Sequence, residues 1–403
     1  MGQNEIDIFR ARQDTLGCKS VLHFNNAGAA LMPNQVLDAT IGHLKLEAEI
    51  GGYEAAKLSH DAVEHVYDAA SSLIGCQRDE IALIENATRA WDMAFYGIPF
   101  KSGDRILTSV AEYGSNYIAF LQIARRTGAV IDVIPNDEYG QVSITALKNL
   151  LDERVKLIAI THIPTNSGLI NPAVEIGEVA KQAKILYLLD ACQSVGQMPV
   201  NVQTIGCDLL SATGRKYLRG PRGTGFLYVR QNVIEQLEPP FLDSHAAEWV
   251  TKDQFKIRTD ARRFENWETN CAGKVGLGVA VDYALSWGLE NIWAQISSLA
   301  ETLRTHLSHI SHVKLQDLGL HKCGIVAFTV DGQNPQEVYD QLAKQKINVS
   351  VSRASSTRLD MEARGLASII RASVHYYNTE DEVELFCEAI TRIASGVRSK
   401  KGL

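Results

Sequence analysis

Two ionisable residues stand at the ends of apolar, strand-like segments, and their spacing suggests a shared site. Asp190 closes the segment Ile185–Asp190, and Lys216 follows the segment Asp208–Ala212, 26 positions after Asp190. Ligands of parallel sheets bind beyond the carboxyl ends of the strands, so both side chains are expected at that edge. Alone, the aspartate could cap a helix and the lysine could be a solvated charge. Together they can hold a charged organic cofactor.

Lys216 is suited to Schiff-base chemistry. The like charge of Arg215 and desolvation at a strand end both lower the pKa of an amine, and a neutral amine is what attack on a carbonyl requires. A lysine that forms the Schiff base, with an acid that pairs with the pyridinium nitrogen, is the arrangement of pyridoxal-phosphate (PLP) enzymes. The sequence therefore predicts PLP as the cofactor.

These motifs resemble the class V aminotransferase family, a fold-type I group with cysteine desulfurases, C–S lyases, isopenicillin-N-epimerase-like proteins and kynureninases. The resemblance runs from about Phe24 to about Ile390. It implies an α/β fold, with a mainly parallel seven-stranded sheet in a large PLP-binding domain and a smaller C-terminal α/β domain. The catalytic residues that it implies are Lys216, Asp190 and Tyr113.

The resemblance also implies further contacts to the cofactor. Gln193 matches a residue that hydrogen-bonds the phenolic oxygen, and Ala87 and Thr88 lie in a turn that cradles the phosphate. That turn opens a helix, whose N-terminus attracts an anion. Thr213 and Arg215 match positions that contact the phosphate, although the family more often has histidine in place of Arg215.

Thr269 matches a residue that reaches the phosphate of the neighbouring subunit. The resemblance therefore implies a homodimer with shared active sites. Ordinary helix capping is the alternative for both Thr88 and Thr269.

Three further residues are candidates for binding an amino-acid substrate. Arg371 resembles the family's arginine that grips the α-carboxylate, a task that suits the guanidinium fork. Asn166 is a candidate for the same carboxylate or a cofactor oxygen, with Thr165 as the alternative. Gly28 lies in a segment that resembles the loop at the mouth of the family's substrate channel, and a plain loop is the alternative there.

Two departures from the family bear on the reaction. Tyr113 stands where many relatives have a histidine that stacks on the pyridine ring, so Tyr113 would stack and Lys216 would handle most proton transfers. Segment 352–365 corresponds to the loop in which desulfurases carry a sulfur-accepting cysteine, but it has Ser355 and Ser356 and no cysteine. Cys323 lies far upstream of it. The same segment contains three arginines that could bind an extra acidic group or be solvated: Arg353, Arg358 and Arg364.

The leading hypothesis for the reaction is β-elimination, or C–S cleavage, of a cysteine-derived amino acid to pyruvate and ammonia. Transamination and epimerisation are the alternatives within PLP chemistry. A non-catalytic PLP-fold binding protein is the alternative of another class, and it has no need of Lys216, Asp190 and Arg371 together. The side chain of the substrate stays open, because residues from both domains and the partner subunit would form its pocket.

Short apolar runs alternate with longer amphipathic stretches, and this pattern predicts the strands and helices that position these residues. Strands are predicted at Arg105–Ser109, Val130–Ile134, Leu157–Thr161, Ile185–Asp190, Asp208–Ala212 and Gly225–Val229. Helices are predicted between them at Ser115–Thr127, Ile144–Leu151 and Ala173–Ala183. Alternating strands and helices predict a mainly parallel sheet covered on both faces.

After Gly278 the pattern predicts a long helical segment from about Val279 to His309, followed by further elements. These are strands Gly324–Val330, Asn348–Ser352 and Ile369–Val374, a helix Gln336–Gln345, and a helix Thr379–Ile393. Thr379 and Glu382 form a predicted capping box. The predicted domains are residues 20–280 for PLP binding and 281–403, with 1–19, for the smaller domain.

Composition excludes other classes of function. The net charge is −7, from 40 basic and 47 acidic residues with no long basic run, which argues against nucleic-acid binding. No apolar run approaches a membrane span, and residues 1–20 lack the apolar core of a secretory signal, so the cytoplasm is expected. The seven cysteines are scattered without a C-x-x-C pair, so neither a disulfide framework nor a metal site is expected. A short basic tail, at Arg398, Lys400 and Lys401, is expected to be solvated.

Overall fold

The computed structural model describes residues 6–396, and the predicted basic tail at 398–401 lies outside them. Within this range no helix is both long and apolar enough to cross a membrane. The same range contains the following α-helices: α1 Ile8–Gln13, α2 Asn34–Ile50, α3 Gly52–Leu58, α4 His60–Ile74, α5 Ala87–Tyr96, α6 Gly114–Thr127, α7 Ile144–Asn149, α8 Ala173–Ala183, α9 Val202–Ile205, α10 Gln231–Ile234, α11 Cys271–Trp287, α12 Leu289–Ser308, α13 Pro335–Lys344, α14 Arg358–Ala363 and α15 Glu380–Ser395.

Strands alternate with these helices through most of the chain. They are β1 Leu22–His23, β2 Ile81–Ile84, β3 Arg105–Ser109, β4 Val130–Ile134, β5 Val155–Thr161, β6 Leu186–Asp190, β7 Leu209–Thr213, β8 Gly225–Val229, β9 Ala247–Thr251, β10 Gln254–Ile257, β11 Val313–Leu315, β12 Ile325–Val330, β13 Ile347–Asn348, β14 Ser350–Arg353 and β15 Ser368–Ser373.

The large sheet has seven strands in the order β2-β8-β7-β6-β5-β3-β4. All neighbouring pairs from β7 to β4 are parallel, whereas β8 pairs antiparallel with both β7 and β2. The predicted mainly parallel seven-stranded sheet is therefore confirmed. Buried apolar side chains cover both faces of it, which explains why its strands read as continuous apolar runs.

A second sheet, in the order β11-β12-β15-β14, is antiparallel and carries Arg371 on its strand β15. The N-terminal segment joins this region, because β1 pairs in parallel with β13. Next to β1, the buried Asn26 side chain donates to the Ser373 carbonyl oxygen at 2.8 Å and accepts from the Tyr377 hydroxyl. The N-terminal segment thus packs against the strand that carries Arg371.

The long helical segment predicted from about Val279 to His309 is helical but interrupted. The chain forms α11 and α12 there, separated by Gly288, whose φ of +79° is a conformation that side chains with a Cβ avoid. The predicted domain boundary after residue 280 falls inside α11, and we propose Gly288 as the start of the second domain. The predicted capping box is present, with Thr379 Oγ1 accepting from the Glu382 backbone N–H.

Candidate active site

All the predicted cofactor residues except Thr269 line one cavity of about 260 Å³, which we call the site cavity. Its lining consists of Asn86, Ala87, Thr88, Tyr113, Thr161, Ile163, Thr165, Asp190, Cys192, Gln193, Thr213, Arg215 and Lys216. Asp190 ends β6 and Thr213 ends β7, so two neighbouring parallel strands deliver residues to the same edge of the sheet. The site cavity is therefore at the carboxyl edge that the strand pattern indicates.

The Lys216 side chain lines this cavity and is half-buried. Burial lowers the pKa of its amine, and the positive charges of Arg215 and Arg371 lower it further, while the neighbouring Cys192 and Asp190 oppose the shift. Each cause acts on the charged form, because an ammonium is costly to desolvate and is repelled by like charge. A larger neutral fraction makes the amine a better nucleophile and proton acceptor.

Asp190 is held by a small hydrogen-bond network. Its Oδ2 accepts from the Asn116 side-chain amide at 3.0 Å, and its Oδ1 accepts from the Cys192 backbone N–H at 3.0 Å. The same Asn116 amide donates to Glu112 Oε1 at 2.8 Å. Burial raises the pKa of Glu112, against hydrogen bonds from Thr161 and Asn116. Asn116 therefore orients the Asp190 carboxylate while connecting it to a second buried acid.

The part of the site cavity lined by Asn86, Ala87 and Thr88 suits a phosphate. Helix α5 begins there, with Asn86 as its N-cap, so backbone N–H groups of its first turn are free of helical partners and favour an anion. Thr88 adds a hydroxyl and Arg215 a positive charge. Gly225 keeps β8 close to this turn, because a Cβ there would lie 2.6 Å from the Ala212 carbonyl oxygen and 3.4 Å from the Ala87 nitrogen.

One orphaned polar atom tests whether the residues fit PLP. The buried Gln193 Oε1 has no hydrogen-bond partner among the described residues, while its Nε2 donates to the Ala27 carbonyl oxygen at 3.2 Å. The cavity thus offers an amide with a free acceptor, an acid and a helix N-terminus. These groups match a pyridine ring that bears polar groups and a phosphate. The residues of the site cavity therefore fit PLP.

Arg371 lies buried beside the site cavity without a carboxylate partner in the described part of the chain. Its Nη1 donates to the carbonyl oxygen of Thr165 at 3.0 Å and to the Thr165 hydroxyl, and its Nε has no hydrogen-bond partner there. Burial lowers the pKa of its guanidinium to about 10. An unpaired buried guanidinium is costly, so this one suits an anionic ligand.

Besides Arg371, three predicted site residues do not line the site cavity. Asn166 is fully buried and donates to Asp360 Oδ2 at 2.7 Å, so the alternative, Thr165, is the one at the cavity. The carbonyl oxygen of Gly28 accepts a hydrogen bond from Arg215, which lines the site cavity. Thr269 lines a second cavity, of about 700 Å³, instead.

Sequence reasoning missed Cys192 and gave no role to Asn116. Cys192 lines the cavity beside Lys216, and burial raises the pKa of its thiol to about 11. Its position two residues after Asp190 was the available signal, because a strand-end acid brings the next residues of the turn to the same edge. Asn116 lies in the first turn of α6, seven residues after β3 ends, so only the folded chain shows that it reaches Asp190.

Segment 352–365 packs against Gly114, next to the site cavity. A short 3₁₀ helix, Ala354–Ser356, and α14 lie within it, and a Cβ on Gly114 would collide with the Ser355 carbonyl oxygen. Gly114 follows Tyr113 directly, so the segment packs beside the cavity without offering a thiol. Cys323 is fully buried and does not line the cavity.

The arginines of this segment differ in their surroundings. Arg364 is 3.2 Å from Asp360 and Arg358 is 2.6 Å from Glu362, so both have carboxylate partners. Arg353 is exposed, at the end of β14. The pairing of the first two favours a structural or solvated role over recognition of a second acidic group on the substrate.

The chain is similar to known proteins over nearly its whole length. The family described as aminotransferase class-V matches residues 22–386. A probable cysteine desulfurase of Xylella fastidiosa is 31% identical over 389 residues, covering 93% of this chain and 91% of that protein. One of Synechocystis sp. is 30% identical over 382 residues, covering 92% and 90%. The solved apo cysteine desulfurase of Thermococcus onnurineus has a TM-score of 0.91 and 27% identity, covering 98% of this chain and all of that one.

Proposed function

This chain belongs to the class V aminotransferase family of PLP-dependent enzymes, and we propose that it cleaves the C–S bond of a cysteine-derived amino acid by β-elimination. The observation that carries the proposal is one cavity that joins Lys216 and Asp190, with Arg371 beside it and no cysteine in segment 352–365. Support also comes from the relatives named as probable cysteine desulfurases, which act at the same bond.

Each residue of the site has a distinct role in the proposed reaction. PLP, when bound, supplies an electron sink that stabilises negative charge at the substrate Cα. Arg371 binds the substrate α-carboxylate through its free donors, which fixes the Cα near the Lys216 amine. Asp190 would hold a positive charge on the ring nitrogen of bound PLP, and Tyr113, which lines the same cavity, would contact the ring. Lys216 then removes the Cα proton and returns protons as the leaving group departs.

The fate of the sulfur follows from the thiols that the site offers. A desulfurase passes sulfur to a loop cysteine and returns alanine, but Ser355 and Ser356 occupy that segment here. Cys192 is the cysteine at the site cavity, and its raised pKa keeps it protonated and a poor nucleophile. We therefore propose that sulfur leaves as a small thiol, so that cysteine and water give hydrogen sulfide, pyruvate and ammonium.

The three-carbon product tests this proposal. With cysteine, cystine and cysteine S-conjugates as substrates, we expect pyruvate and ammonia in equal amounts without an added amino acceptor, measured by coupled dehydrogenase assays alongside quantification of alanine. The Lys216→Ala variant controls for uncatalysed breakdown. Alanine as the main product, with persulfide mapped to Cys192 or another cysteine, would contradict the elimination. Keto acid formed only with an acceptor would favour transamination, and inversion of the Cα without cleavage would favour epimerisation.

We also propose a homodimer in which Thr269 contacts the cofactor phosphate of the partner. Thr269 lines the second cavity rather than the site cavity of its own chain. Large apolar side chains are exposed near it and on the β9–β10 hairpin, namely Trp249, Phe255 and Trp267. Such exposed aromatic surface is typical of interfaces.

Shared sites predict complementation between two inactive variants. Thr269→Asp places a carboxylate opposite the phosphate, so we expect weak PLP retention and low activity, whereas Thr269→Ser keeps the hydroxyl and serves as the matched control. A heterodimer of Thr269→Asp and Lys216→Ala chains, isolated with two affinity tags, should regain one intact site and measurable activity. A heterodimer that stays inactive, or a fully active monomer by sedimentation, would exclude shared sites.

A further inference from the structure

Outside the site described above, three side chains with metal-binding atoms meet between α2 and α11. His43 and Glu47 lie one turn apart on α2, and Cys271 is the first residue of α11. One ligand atom from each of the three lies within 4.8 Å of the other two. None of the three lines the site cavity. This group, which we call the His43 cluster, therefore has no role in the proposed reaction.

His43 supplies an independent sign of a missing ligand. The residue is only 5% exposed, and its Nε2 is buried without a hydrogen-bond partner among residues 6–396. The nearest acid atom, Glu47 Oε1, lies 3.2 Å away, but no hydrogen bond joins the two. A buried ring nitrogen without a partner is unfavourable, and a cation bound to its lone pair would satisfy it.

The spacing within the His43 cluster suits a tetrahedral cation. At the usual zinc–nitrogen and zinc–oxygen distances, two tetrahedral ligand atoms are roughly 3.3 Å apart, close to the 3.2 Å between His43 Nε2 and Glu47 Oε1. The Cys271 sulfur lies within 4.8 Å of both atoms, so binding the same centre requires it to move closer by up to about 1 Å.

We propose that His43 Nε2, the Glu47 carboxylate and Cys271 Sγ form a binding site for Zn²⁺. Imidazole nitrogen, carboxylate oxygen and thiolate sulfur are all zinc ligands, and the sulfur disfavours Mg²⁺ and Ca²⁺. Glu47 and Cys271 are partly exposed, which leaves room for water as the fourth ligand. The metal fixes α2 to the first turn of α11, directly after Thr269 and Asn270. Its role is to hold the start of α11 in place.

Zinc content of the purified, PLP-loaded full chain tests the site. After chelator treatment and dialysis against Zn²⁺, we expect one zinc per chain in the unmodified protein by mass spectrometry of the metal. His43→Gln and Cys271→Ser, which nearly preserve side-chain volume, are expected to lose that zinc. Cys76→Ser, which changes another partly buried cysteine, is the matched control and should retain it. Zinc should also raise the melting temperature of the unmodified protein and of Cys76→Ser alone.

Cobalt distinguishes a thiolate site from other bound metal. Co²⁺ in place of zinc should give visible bands at wavelengths beyond the absorption of PLP, and these should disappear in Cys271→Ser. Circular dichroism and PLP content check that each variant folds, so that loss of metal is not loss of structure. Absence of retained zinc in the unmodified protein, or equal retention in the folded His43→Gln and Cys271→Ser variants, would overturn the site.

Discussion

Lys216→Ala is expected to reduce turnover by about a thousand-fold or more, since it removes the group that we propose transfers protons at the substrate Cα. It also removes the amine proposed to bond PLP, so sodium borohydride should no longer fix the cofactor to the protein. Peptide mapping of the borohydride-treated parent should find the pyridoxyl group on Lys216. These two readouts separate the chemistry of Lys216 from a general loss of binding.

A matched control for this experiment is Lys181→Ala, which changes an exposed lysine on α8. It should retain both turnover and the borohydride label. Label on a different lysine in the parent protein, or substantial turnover in Lys216→Ala, would show that Lys216 is not the Schiff-base residue. The expected effect rests on the burial that lowers the pKa of this amine, an environment that an exposed lysine lacks.

Asp190→Asn is expected to reduce turnover by roughly 100- to 1000-fold while the cofactor stays bound to Lys216. An amide is close in size to a carboxylate, but it has no negative charge to hold a proton on the ring nitrogen. Turnover and the absorption spectrum of the bound cofactor should both change, whereas the borohydride label should persist. Near-normal turnover would contradict the role of Asp190.

Asn116 gives this experiment a second variant with a graded effect. Asn116→Ala removes the donor at 3.0 Å from Asp190 Oδ2 but leaves the charge in place. We expect a smaller loss of turnover than in Asp190→Asn, since the backbone N–H of Cys192 still orients the other carboxylate oxygen. An equal or larger loss in Asn116→Ala would indicate that the orientation of the carboxylate matters more than its charge.

The large sheet could be predicted from sequence because its signals are local. The strand limits at Arg105–Ser109, Val130–Ile134 and Gly225–Val229 agree with the structure, since each is a short apolar run bounded by polar or turn residues. Gly288 was missed because the apolar periodicity continues on both sides of it, so the pattern hides a break that a single backbone conformation causes. Apolar periodicity likewise does not indicate the direction of a strand, so the antiparallel orientation of β8 is visible only in its pairing with β7.

The site was predictable where a residue's role depends on a strand end, and not where it depends on distant partners. Lys216, Asp190 and Thr213 follow strands, so the topology alone brings them together. Asn166 was a reasonable candidate by position, but Asp360, 194 positions further along, draws its side chain away from the cavity. The His43 cluster joins residues from two helices that are far apart in sequence, which explains why no spacing motif indicated a metal.

The bonds between Asn26 and the second sheet have a consequence for biosynthesis. Asn26 and Tyr377 are separated by 351 positions, and Asn26 and Ser373 by 347. The N-terminal end of a chain emerges from the ribosome first, so the segment around Asn26 emerges long before Ser373 and Tyr377 have been synthesised. The large sheet, complete by residue 229, can assemble earlier. Chains that terminate before β15 lack Arg371, so we expect the nascent protein to stay inactive until nearly the whole chain has been translated.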